Sequence, residues 1–61
     1  MLIQIKKGVK LTQDIPNLWH VWVEGPHGWI VQGEWPSICA AYRDYQTTES
    51  YVFNNGGVNH V

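Results

Sequence analysis

LWHVWVEGPHGWIVQGE, residues 18–34, is the stretch on which the fold turns. Its first part, LWHVWVE, is rich in aromatic and β-branched side chains, which suit a pleated surface. Gly25-Pro26-His27-Gly28 is a compact break, and WIVQGE returns from it. Two such runs about a short glycine-containing loop predict a β-hairpin, 18–24 against 29–34. With Pro26 and His27 at the loop centre, Glu24 stands opposite Trp29, Trp22 opposite Val31, and His20 opposite Gly33. Strand periodicity then separates two faces. One carries Trp19, Val21, Val23 and Ile30, with Gln32 and Glu34 at its far end. The other carries His20, Trp22, Glu24, Trp29 and Val31, with Gly33. A slip of one residue would reassign one strand's partners. Gly33 within a strand marks a bulge or a close approach of another group.

Upstream, LIQIK (2–6) and VKLTQ (9–13) alternate apolar and polar residues. Gly8 between them is read either as a bulge in one long strand or as the break between two short ones. Asp14, Pro16 and Asn17 mark a loop. Downstream, Pro36 and Ser37 suit a helix start. Ile38, Ala41, Tyr42 and Tyr45 recur on one helical face, which predicts a helix over about 37–48 that frays at Thr47 and Thr48. SYVF, 50–53, is read as extended, and 55–61 as a flexible C-terminal tail. The predicted fold is α+β: an antiparallel sheet of three to four strands in one domain, 1–54, with the helix packed on one face. A single helix covers one face of a small sheet. The Trp19, Val21, Val23 and Ile30 face, joined by Ile3 and Ile5, is assigned to the helix. Trp22, Trp29 and Val31 are then left on the open face.

Composition narrows the function classes. A chain of 61 residues is at most one domain. Domains of this size bury only about 60% of their unfolded surface and often need extra support. Cys39 is the sole cysteine, so no internal disulfide forms. His20, His27, His60 and Cys39 lack the paired spacing of zinc sites, so no metal is expected. Cys39, inside the predicted helix, reads as a small core residue rather than a nucleophile. The five carboxylates are dispersed and read as solvated surface. Net charge is −1, and the one basic cluster is Lys6, Lys7 and Lys10, a weak footprint for a polyanion. No apolar run is long enough to span a bilayer, and no signal segment is visible. The lone thiol suggests a reducing, cytoplasmic setting.

Three of four tryptophans lie within residues 19–29, more than a small core uses. Aromatic cross-strand pairs stabilise a hairpin by themselves. Exposed aromatic patches also mark interaction sites, and tryptophan is enriched in interface hot spots. The favoured expectation is therefore a non-enzymatic protein-binding module, an inhibitor or regulator of a larger protein. Trp22 and Trp29 are its anchors, Val31 widens the patch, and His20 and Glu24 form its polar rim. Self-association through the same face is compatible with this. No cofactor, catalytic residue or membrane partner is expected. In size and character the chain is similar to small accessory proteins encoded by bacteriophages and mobile elements, some of which disable host enzymes, although no motif carries that comparison. The alternative is a nucleic-acid module that stacks bases on Trp22 and Trp29 and uses Lys6, Lys7 and Lys10 for the backbone. A sheet followed by a helix is similar to the sheet-reading domains of some phage integrases. The hairpin, however, offers no Lys or Arg to read base edges.

Overall fold

The computed structural model describes residues 1–55 as four strands followed by one helix: β1 (Leu2–Lys6), β2 (Val9–Ile15), β3 (Leu18–Gly25), β4 (Gly28–Trp35) and α1 (Ile38–Asn55). The strands form an antiparallel meander in the order β1-β2-β3-β4. Two-residue turns join them. Gly8 is thus a hairpin break: Lys6 pairs with Val9, and Lys7 and Gly8 both take positive φ, 48° and 84°. That left-handed pair matches the right-handed twist of the flanking strands. Pro16 and Asn17 close the second hairpin, with Asn17 at φ 68°, a conformation that asparagine tolerates. Pro26 and His27 close the third, between paired Gly25 and Gly28.

The helix crosses one face of the sheet. Val9, Leu11 and Val21 are fully buried beneath Ala41 and Tyr45, and Trp19 and Val52 pack around them. Ser37 caps the helix: its Oγ accepts the Ala40 N–H at 3.2 Å, and its carbonyl accepts the Ala41 N–H at 3.0 Å. Such a cap contributes about 1 kcal/mol.

Several expectations are corrected. SYVF is helical, because α1 runs on to Asn55. Val52 lies three turns beyond Ala41 on the stripe Ala41, Tyr45, Thr48 and Val52, and its packing outweighs the β preference of the segment. The helix contact stripe is accordingly rotated, leaving Ile38 and Tyr42 about 40% exposed. Asn55, first residue of the expected tail, is helical, and the rest of that tail, 56–61, lies outside the described residues. Ile5 does not face the helix. A bulge between Leu2 and Gln4 shifts the alternation, so Ile5 pairs with Lys10 while Gln4 pairs with buried Leu11. Lys6 reaches Glu49 of the helix at 3.2 Å.

A second bulge reshapes β4. Val21 pairs with Gly33 and Trp22 with Val31, so Gln32 is the extra residue. His20 therefore stands opposite Glu34 and not Gly33. Gly33 turns toward the helix, where a Cβ would collide with the Asp44 carboxylate. That close approach lets Asp44 accept the Trp35 Nε1–H at 2.7 Å, the Thr48 hydroxyl at 3.2 Å and the Gln32 amide at 3.5 Å. Asp44, expected as plain solvated surface, thus ties β4 to α1.

Candidate functional site: the open face of the sheet

Direct antiparallel partners share a face, so the register builds the open surface row by row. The central row reads Ile5, Lys10, Trp22, Val31 across the four strands. The next row reads Leu2, Thr12, His20, Glu34. Glu24 and Trp29 pair on the other side, beside Gly8. The five residues singled out in the sequence, His20, Trp22, Glu24, Trp29 and Val31, therefore lie together on the face away from the helix. Trp22 against Val31 and Glu24 against Trp29 hold as expected.

The two indoles are half-buried on the face opposite α1. Their cover comes from the sheet itself. The Lys10 ammonium sits 4.5 Å from the Trp29 ring centroid and 5.1 Å from that of Trp22. Both distances are within reach of cation–π attraction, about 0.5–1 kcal/mol at an exposed site. Trp22 Nε1 donates to the Thr12 hydroxyl at 2.9 Å. The His20 ring lies 5.9 Å from Trp22, tilted by 50°. Beside this fixed aromatic pair, Val31 remains 46% and Ile5 52% exposed.

One end of the face is polar. His20 Nδ1 meets Asp14 Oδ2 at 2.5 Å and its Nε2 meets Glu34 Oε2 at 2.9 Å. Thr12 donates to the same Asp14 oxygen at 3.3 Å. His20 thereby pins β2, β3 and β4 together at the rim.

Sequence reasoning named Lys10 only within the basic cluster of the nucleic-acid alternative, and it missed Thr12, Ile5, Asp14 and Glu34. Lys10 and Thr12 were within reach, since they alternate with the core residues Val9 and Leu11. Bulges concealed the others: the extra Asp14 on β2, Gln32 on β4 and Ile3 on β1 each reset the parity. The expected basic cluster divides, with Lys6 on the helix side and Lys10 on the open side. Cys39 is another correction. It is exposed on the first turn of α1, because the helix turns Ala41 and Tyr45, not Cys39, onto the sheet. It lines a shallow groove of about 380 Å³ with Ile38, Tyr42, Arg43 and Gln46.

On the helix side, Tyr45 is 2% exposed, and its hydroxyl has no hydrogen-bond partner among the described residues. Burial raises its pKa, reinforced by Glu49 and Tyr42, while nearby Gln4 pulls weakly the other way. Among the described residues no cluster of His, Cys, Asp and Glu is placed to hold a metal ion, and no helix is long and apolar enough to cross a membrane. No protein-family model matches the chain, and neither a curated protein nor a solved structure matches it.

Proposed function

We propose that the chain is a non-enzymatic protein-binding module that engages a larger protein through the open sheet face and inhibits or regulates it. The observation that carries this reading is the central row. Trp22 and Val31 stand in direct register, Trp29 adjoins them, and α1 lies on the opposite face. Rigid aromatic anchors beside exposed aliphatic groups, ringed by His20, Glu24 and Glu34, have the anatomy of an apolar interface centre with a polar rim. The charge of the face favours a protein over a nucleic acid. Lys10 is flanked by both indoles, whereas Asp14, Glu24 and Glu34 share the same face. Three carboxylates near one lysine repel a phosphate backbone. A cytoplasmic setting is part of the proposal and rests on the lone exposed thiol.

The test is affinity capture with wild-type bait beside a Trp22→Ala, Trp29→Ala bait whose circular dichroism shows it folded, at two salt concentrations, with nuclease-treated controls. A protein held by wild type, lost by the double variant and resistant to nuclease is the expected result. Retention of nucleic acid alone, released by salt, would replace this reading with base stacking.

A further inference from the structure

Among the described residues the sheet has two open edges, and they are built differently. β1 is short, interrupted by its bulge, and ends in Lys6. These are the devices that keep an edge from pairing. β4 spans eight residues, and from Gly28 to Gly33 it carries neither charge nor proline. Ile30 and Val31 sit in the middle of that stretch, 58% and 46% exposed, on opposite faces of the strand.

We infer that β4 pairs antiparallel with β4 of a second copy, centred on Ile30, to give a two-fold symmetric dimer with a continuous eight-stranded sheet. The register follows from the residues. Centring on Ile30 uses the regular stretch ahead of the Gln32 bulge. It sets Ile30 against its own copy on the helix side. It sets Trp29 of each copy against Val31 of the other on the open side, an aromatic–β-branched pair made twice. No charged residue meets a like charge in the paired stretch. That compatibility with itself favours a second copy over a foreign strand. The demand for such a contact is also visible: among the described residues only Val9, Leu11, Val21, Ala41 and Tyr45 make up the buried apolar core, the setting in which small domains gain support by association. On the helix side, a groove of about 310 Å³ lined by Val23, Ile30, Tyr51 and Val52 adjoins the same edge. A standard interface buries roughly 800 Å² per partner, and a single-strand seam is smaller, so the dimer is a reversible one. This inference does not depend on the protein-binding proposal.

Sedimentation velocity from micromolar to millimolar protein should show the mass rising from monomer toward dimer. Ile30→Lys and Ile30→Glu should each weaken dimerisation about tenfold or more, because like charges then face each other across the two-fold axis. An equimolar mixture of the two variants should dimerise again, because an ammonium from one then faces a carboxylate from the other. Hydrogen exchange on the wild type needs no variant: the Trp29 and Val31 amides should exchange more slowly as concentration rises. A wild type that stays monomeric at millimolar concentration, a dimer indifferent to both substitutions, or edge amides insensitive to concentration would each overturn the inference.

Discussion

On the helix side the sheet closes over Val9, Leu11 and Val21, and Ala41 and Tyr45 seal them from water. On the other side the same strands hold two indoles half-exposed, steadied by Lys10, Thr12 and their own register. Both faces are aromatic and ordered, yet they are ordered by different forces. Burial holds the first. Directional contacts between surface side chains hold the second, and each is individually weak. A core face of this kind tolerates little change, whereas the open face can be altered with small effects on folding and, under the proposed function, large effects on partner binding.

The deepest test of that contrast is Leu11→Ala. It leaves a cavity beneath the helix and should cost about 2–5 kcal/mol, enough to unfold much of so small a domain. Thermal melts followed by circular dichroism would read this, and a melting point near that of wild type would remove the distinction between the faces. Tyr45 sharpens the comparison through pH. Its pKa is raised in the folded state, so folding favours the neutral phenol. The contribution is fully present below the ordinary tyrosine pKa of about 10 and is lost as pH rises beyond it. Denaturant titrations of wild type and Tyr45→Phe should therefore run parallel at neutral pH and diverge only in strong alkali, where the variant keeps its stability. Smallest is Lys10→Met, which keeps the aliphatic stem but removes the cation between the indoles. A loss of about 0.5–1 kcal/mol is expected, with tryptophan fluorescence shifted and the melt still cooperative. A loss as large as that of Leu11→Ala would mean that the open face is a second core.

Much of the fold was legible because alternation is a local property. Near the Pro26-His27 turn, Trp22 to Glu24 pair with Trp29 to Val31 as the pattern requires, up to the Gln32 bulge. From that pairing Trp22, Trp29, Val31, His20 and Glu24 fell on one face without reference to the rest of the chain. The rim was not legible, because each bulge inserts one residue that no local pattern announces. Gln32 moved Glu34 beside His20, and the bulge at Ile3 moved Ile5 to the open side.

The chain's own residue pattern thus determined the hairpin, the Ser37 cap and the single-helix α+β class, since turn chemistry and side-chain periodicity act over a few residues. Tertiary structure decided the rest. It extended the helix through Val52, because contact with the sheet exceeds the local preference of Tyr, Val and Phe. It drew Asp44 onto Trp35 and Gln32, because Gly33 lets the helix come close. It placed Lys10 between two tryptophans from neighbouring strands, an arrangement that exists only once β2 lies beside β3.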